Sequence, residues 1–270
     1  MKIKVAAVQL HCELGNLEAN LALSEKLLEE AVAKGAQWVV FPELFNTGYQ
    51  LPERDLELAE DIPEGPTTQW MIAMAKKHQI LISGCILAKT PACCVVTDTA
   101  LTVSEQGVLA TYDKVHLFGA EEQRFANGSH LAEPVAYGDL RIGMQICYEI
   151  GFPDLSRILA LKGANVIIYP AAFGRKRYYV WDIQSRARAL ENGVYVIAVN
   201  HVGEEANTKF YGGHSRIVDP NGTVLCEASF DQDEVIIAEL DVKECIDARI
   251  TEPYLRDLNK SLVKAEWNKL

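Results

Sequence analysis

The chain has 270 residues, 49% hydrophobic and 23% charged, a composition that folds into a globular core and excludes wholesale disorder. Its 26 basic and 37 acidic residues leave a net charge of -11, which repels a phosphate-rich partner, so nucleic acid is not an expected ligand. No stretch approaches the roughly 18 consecutive apolar residues of a membrane span, so no membrane partner is expected.

The first element, "IKVAAVQ" (Ile3 to Gln9), alternates and is β-branched, which predicts a strand rather than the apolar segment of a signal peptide. A helix follows from Asn16, its N-cap, to a stop at Gly35. "QWVVFPE" ending at Glu43 reads as a buried strand, "GPTTQWMIAMAKKHQ" as a helix and "ILISGCILA" as a strand. Cys93 to Lys114 reads as two antiparallel strands turning at Glu105-Gln106-Gly107. "RIGMQIC" predicts a strand ending at Cys147, "FPDLSRILALKGA" a helix and "NVIIYP" a strand. "YYVWDIQSRARALENG" predicts a helix closed by Gly193, and "VYVIAVN" another strand. A hairpin over Phe210 to Ala228, turning at Pro220-Asn221-Gly222, precedes a last strand at Glu234 to Asp241 and a polar helical tail. Helices alternating with buried strands, with hairpins interspersed, imply α/β layers around a mixed sheet. With no linker, repeat or compositional break, residues 1–270 are expected to form one domain.

The seven cysteines are odd in number and sit mostly in apolar runs, as expected of reduced thiols in a cytoplasm. Cys93 and Cys94 lack a second spaced pair, so no metal is expected, and no nucleotide loop or cofactor motif is present. Three polar residues stand where buried strands give way to loops: Glu43, Lys114 and Cys147. Singly, each has an ordinary reading: a helix-capping carboxylate, a solvated amine, a packed core thiol. Together they form a chemical set. A carboxylate can take a thiol proton and later activate water, an ammonium can stabilise an oxyanion, and a helix end after the cysteine would favour its thiolate. Those roles suffice for acyl transfer without a metal or cofactor. His116, two residues beyond Lys114, offers an alternative Cys–His pairing.

"FPELFNTGY" (41–49), "YDKVHLF" (112–118) and "QICYEIGFPDLSR" (145–157) resemble the three signature regions of the nitrilase, or carbon–nitrogen hydrolase, superfamily. The similarity runs in order from about Val5 to Leu240, with "GANVIIYPAAF" and "SRARALENGVYVIAVN" in support. It implies a four-layer α-β-β-α sandwich of two mixed sheets. It also implies a homo-oligomer built from dimers, with the tail at about 250–270 against a neighbouring subunit. It assigns Glu43 as general base, Lys114 as oxyanion stabiliser and Cys147 as nucleophile, with the Tyr148 backbone N–H as a second oxyanion donor. A second family glutamate falls on Glu121 or Glu122, and spacing to Gly128 favours Glu121. The stretch "AAFGRKRYYVW" is expected at the pocket mouth, where Phe173, Arg175 and Trp181 are candidate substrate contacts and Lys176 or Arg177 could serve in place of Arg175. Many members read C-Y-D-x-R-F-P-E after the nucleophile; here Gly151 stands where that arginine, a partner for a substrate carboxylate, would be. At 270 residues the chain has no room for the synthetase domain of NAD-forming relatives. The expected substrate is a small linear amide that releases ammonia. An N-carbamoyl compound or a nitrile is the alternative, and a catalytically silent scaffold on the same fold is a third reading.

Overall fold

The computed structural model describes residues 2–89, 95–131, 133–207 and 209–270. Cys93 and Cys94 lie outside them. Among the described residues, fourteen strands form two six-stranded sheets and a small two-stranded ribbon. The first sheet runs β14 (Glu234–Asp241), β1 (Lys2–Gln9), β2 (Trp38–Val40), β3 (Leu81–Lys89), β4 (Val96–Ser104), β5 (Gly107–Asp113). The second runs β13 (Val224–Glu227), β12 (Arg216–Val218), β9 (Tyr195–Asn200), β8 (Val166–Ala171), β7 (Leu140–Met144), β6 (Val135–Tyr137). Each is mixed in the same way. Three central strands are parallel (β1, β2, β3 and β7, β8, β9), and the outer strands are antiparallel. The ribbon pairs β10 (Glu204–Glu205) with β11 (Lys209–Phe210).

Period-two patterning builds the layers. On β1, Ala6 and Val8 face the helices α1 (Leu17–Ala33) and α3 (Pro66–His78), while Val5 and Ala7 face the second sheet. Val39 against Trp38 and Val40 repeats the division on β2, and Ile82 and Ile86 against Leu81, Cys85 and Leu87 repeat it on β3. Strands β8 and β9 are buried along their whole length. Their outer face is covered by α4 (Pro153–Leu161) and α5 (Tyr178–Asn192). The result is the expected α-β-β-α sandwich.

Helix boundaries follow their chemistry. The Asn16 side chain accepts the Ala19 N–H at 3.1 Å to cap α1, and Gly193, at φ 55°, closes α5 in the left-handed region. Several elements differ from expectation. The strand at "QWVVFPE" is only Trp38–Val40, because Pro42 cannot extend the ladder. The hairpin predicted over 210–228 is confined to β12 and β13. Short elements without a sequence signal appear at β6, at α2 (Asp55–Leu58) and in the tail helices α6 (Val242–Thr251), α7 (Tyr254–Asp257) and α8 (Lys260–Trp267), where the sequence predicts only a general helical character. Cys12, Cys85, Cys147, Cys226 and Cys245 are free thiols. Among the described residues no helix is long and apolar enough to cross a membrane.

Topology brings four chain segments to one edge of the first sheet. β2 and β3 run parallel, β4 returns, and β5 runs out again, so the start of β4 and the end of β5 lie beside the carboxyl ends of β2 and β3. The carboxyl ends of β7, β8 and β9 form the matching edge of the second sheet. Leu101, fully buried on β4 against the α1/α3 layer, tests the packing beneath that edge. Leu101→Ala should cost about 2–5 kcal/mol of stability by leaving a cavity. Chemical denaturation read against the parent chain checks this.

Candidate active site

Glu43 and Lys114 leave the first sheet just beyond β2 and β5, and Cys147 leaves the second just beyond β7. All three side chains are buried where the two edges meet. The Lys114 Nζ donates to Glu43 Oε1 at 2.6 Å, to Glu121 Oε1 at 2.9 Å and to Asp98 Oδ2 at 3.1 Å. Glu121, not the exposed Glu122, is therefore the glutamate brought to the lysine. Oxygen atoms of Glu43, Asp98 and Glu121 lie within 4.8 Å of one another, a spacing that could hold a metal ion; here the cation at their centre is the lysine ammonium.

Glu43 is held from the opposite sheet. Its Oε2 accepts the Ala172 N–H at 2.7 Å, and its backbone carbonyl accepts the buried His201 Nε2–H in a short hydrogen bond. Burial lowers the His201 pKa, which keeps this ring neutral. The Cys147 thiol is buried alongside, within reach of the charges of Glu43, Lys114 and Glu121.

Cys147 has φ 45°, in the left-handed region, and Leu44, next to Glu43, has φ 51°. L-residues seldom adopt such angles, and here they turn the chain sharply at both reacting positions. The cysteine opens a single 3-10 turn (Cys147–Gly151), and α4 starts only at Pro153. The expectation that a helix end would charge the sulfur is corrected accordingly. The side chain is 5% exposed, and burial first, then the Glu43 and Glu121 carboxylates, push its pKa well up; Lys114 and the Ala172 N–H oppose them. The resting group is a thiol with a carboxylate beside it.

A family profile for carbon–nitrogen hydrolases matches residues 4–250. The chain belongs to that family. This carbon–nitrogen hydrolase is 37% identical over 263 residues to a nitrilase of Pyrococcus abyssi, with 96% of each chain covered. It is 32% identical over 267 residues to a 2-oxoglutaramate amidase of Bacillus subtilis, with 97% of this chain and all of that one covered. Its fold superimposes on Saccharomyces cerevisiae Nit3, a nitrilase-superfamily structure, with a TM-score of 0.86 and 31% identity over 93% of this chain and 94% of that one.

The remaining predicted residues take different places. The Tyr148 ring packs 5.0 Å from Phe118 and 5.2 Å from Phe152. His116 stacks on Phe152 at 4.0 Å, outside the carboxylate cluster. Trp181 is buried beneath Phe173, its Nε1–H donating to the His214 carbonyl at 2.8 Å, so it braces the wall from behind. Arg175 lies over the Phe230 ring at 4.4 Å.

Four further residues join the site, two of them, Tyr49 and Glu149, inside the signature stretches 41–49 and 145–157 but with no role assigned there. Tyr49 donates a short hydrogen bond to Glu121 Oε1, whose Oε2 accepts the Phe118 N–H at 2.7 Å. Glu149 accepts from the Val115 and His116 N–H groups at 2.9 and 3.1 Å, from Tyr112 Oη at 2.8 Å and from the Ile146 N–H at 2.9 Å. It ties the lysine loop to the cysteine turn across the two sheets. His201 is the third. Asp98 is the fourth, and a carboxylate inside the apolar strand "VVTDTALTV" is the one visible signal for it.

Three carboxyl groups surround one ammonium in a buried site, which favours retention of a proton on the least well stabilised of them. Asp98 has the weakest donors, Nζ at 3.1 Å and the Cys85 thiol at 2.8 Å, while Glu43 and Glu121 each accept a backbone N–H as well. Burial and the adjacent Glu43 push Asp98 up to about 7 against the pull of Lys114. The unfolded group titrates near 4. Its contribution to stability is thus full below about pH 4 and is lost as the pH rises through about 7. Asp98→Asn cannot ionise, so its stability relative to the parent chain should climb from pH 4 to 7 and then level off. Urea midpoints across that range check this; a difference independent of pH would mean that Asp98 is ionised throughout.

Proposed function

We propose that this carbon–nitrogen hydrolase cleaves small linear amides through a Cys147 thioester, releasing ammonia. The observation that carries the reading is the burial of Glu43, Lys114 and Cys147 together where the two sheet edges meet, with Lys114 Nζ 2.6 Å from Glu43 Oε1 and the thiol within reach of both charges. Glu43 takes the Sγ proton as the sulfur attacks the carbonyl carbon. The oxyanion is held by Lys114 Nζ and by the N–H of Tyr148, a residue in the first turn of a 3-10 segment, where amides have no partner within the helix. The proton on Glu43 passes to the leaving nitrogen, the C–N bond breaks and ammonia departs. Glu43 then takes a proton from water, hydroxide adds to the thioester, the C–S bond breaks and the proton returns to the sulfur. Glu121 acts by holding Lys114, and Asp98, protonated, limits the negative charge that opposes thiolate formation.

The amidase name of the Bacillus relative supports this substrate class. The nitrilase name of the Pyrococcus relative favours a second reading, in which a nitrile enters the same site and adds the sulfur to its triple bond as a thioimidate. Five free cysteines suit a reducing compartment such as the cytoplasm. Ile183 and Tyr179 on α5 and Trp267 on α8 are large, apolar and exposed, as a homo-oligomer built through those helices requires.

Ammonia release from a panel of amides, N-carbamoyl amino acids and nitriles tests the proposal. Cys147→Ala should lose at least about 10³-fold in turnover at unchanged thermal stability. Glu43→Gln should fail to form the acyl-enzyme that mass spectrometry detects in the parent chain. Carbon dioxide released with the ammonia would indicate the carbamoyl branch, and turnover surviving in Cys147→Ala would remove the nucleophile assignment.

A further inference from the structure

The loop 43–50 carries two groups of the site, and side chains from one stretch of the second sheet hold it at both ends. His201 directly follows β9 and is fully buried. Its Nε2–H donates to the Glu43 carbonyl, where the loop begins. Glu205, on β10 and 2% exposed, accepts the Tyr49 N–H at 3.1 Å and the Gln50 N–H at 3.0 Å, where the loop ends. The same Oε2 accepts Tyr211 Oη at 2.8 Å, and the Tyr211 ring lies 5.3 Å from that of His201.

The His201 bond fixes a peptide that has reason to turn. Leu44 has φ 51°, and a half-turn of the Glu43–Leu44 peptide would bring that angle into the extended region. It would also swing the Glu43 carbonyl off the imidazole and leave a buried acceptor without its donor. The hydrogen bond therefore keeps the backbone of Glu43 in one conformation. His201 is itself placed by the first sheet. Leu10, just after β1, pairs with it in a parallel bridge, and the Leu10 carbonyl accepts the Val202 N–H at 3.2 Å. With the ring neutral and its Nε2–H committed to Glu43, Nδ1 is left as an acceptor, and Cys12 Sγ lies 3.7 Å from it. At the far end, Tyr49 Oη donates to Glu121 Oε1, the oxygen that also accepts from Lys114 Nζ. Glu205 fixes the backbone from which that hydroxyl projects.

We propose that His201 and Glu205 are positioning residues for the reaction: His201 aims the Glu43 carboxylate at the thiol, and Glu205, through Tyr49, keeps Glu121 on Lys114. The proposal rests on the reading of Glu43 as the base for Cys147. If the two residues served packing alone, their replacement would lower stability and leave the folded enzyme as fast as before.

Turnover of the amide that the parent chain cleaves fastest is compared with hydrogen exchange and with iodoacetamide labelling of Cys147 located by mass spectrometry. His201→Leu should lower kcat by about 10- to 100-fold with KM nearly unchanged, and His201→Gln, whose side-chain amide reaches the same carbonyl, should recover most of it. His201→Asn, too short to reach, serves if the leucine variant does not fold. Glu205→Ala should also lower kcat, and that loss should shrink once Tyr49→Phe has removed the link to Glu121, a non-additivity that a double-mutant cycle reads. Labelling should slow in His201→Leu as in Glu43→Gln, and the loop 43–50 should exchange faster in His201→Leu and Glu205→Ala while β8 and β9 stay protected. A kcat in His201→Leu within about twofold of the parent, a Glu205→Ala loss undiminished by Tyr49→Phe, or loop exchange unchanged in both variants overturns the proposal. Labelling as fast in Glu43→Gln as in the parent chain overturns the base reading instead, and loop exchange then decides by itself whether His201 and Glu205 hold the loop.

Discussion

A fully buried ammonium surrounded by three carboxylates is the constraint on which the site depends. Removing one such charge from water costs several kcal/mol, and only close opposite charges with further hydrogen bonds offset it. Lys114 meets this condition because β2, β4 and β5 deliver Glu43, Asp98 and the lysine itself to one edge of the first sheet, and the loop after β5 folds back to add Glu121. The ammonium stays charged despite its burial because three carboxylates outweigh the desolvation. It in turn orders the base. The same grouping leaves more acids than the one cation can balance, and burial with the adjacent Glu43 pushes Asp98 up to about 7.

Cys147 comes from the other sheet, so alignment of the two layers decides whether the Glu43 carboxylate and the thiol meet. Three sets of hydrogen bonds cross the junction. The Ala172 N–H and His201 hold the side chain and the backbone of Glu43, and Glu149 gathers the amides that follow Lys114 together with the one preceding Cys147. Each joins a loop to a strand end of the opposite sheet. Their partners are backbone groups fixed by the ladders, which gives the two edges one discrete arrangement. The loop 44–50 is clamped independently: Glu205 accepts the Tyr49 and Gln50 N–H groups, and Asn46 bonds Glu60 and Thr67. This presents the Tyr49 hydroxyl to Glu121.

Much of this arrangement is legible in the amino-acid sequence. Alternation in "IKVAAVQ", the Asn16 cap and the glycine stops locate the main strands and helices, because such signals act within a few residues. Glu43, Lys114 and Cys147 stand out because polar residues interrupt buried strands only for a reason. The charge state of the cysteine is not legible, since the local pattern implies a helix where a single 3-10 turn intervenes. The roles of Asp98, Glu149 and His201 are hidden because each finds partners far along the chain, although Glu149 lies inside a signature stretch and Asp98 interrupts an apolar strand. Arg175 and Arg177 look equivalent in "GRKRYY", and only packing turns one onto Phe230 and the other between Phe118 and Phe173.

The sequence by itself determined the main strands and helices, through periods of two and 3.6 residues, and marked Glu43, Lys114 and Cys147 through their positions at strand ends; the layer order came only with the family resemblance. Tertiary structure alone decided which carboxylate besides the two glutamates meets the lysine, Asp98, and how Arg175 and Arg177 part, one onto Phe230 and the other between Phe118 and Phe173; it also brought Glu121, which spacing favours, onto the lysine. The physical reason is range. Periodicity and capping are properties of neighbours along the chain, whereas desolvation, pKa and ion pairing depend on every group that folding places within a few ångströms.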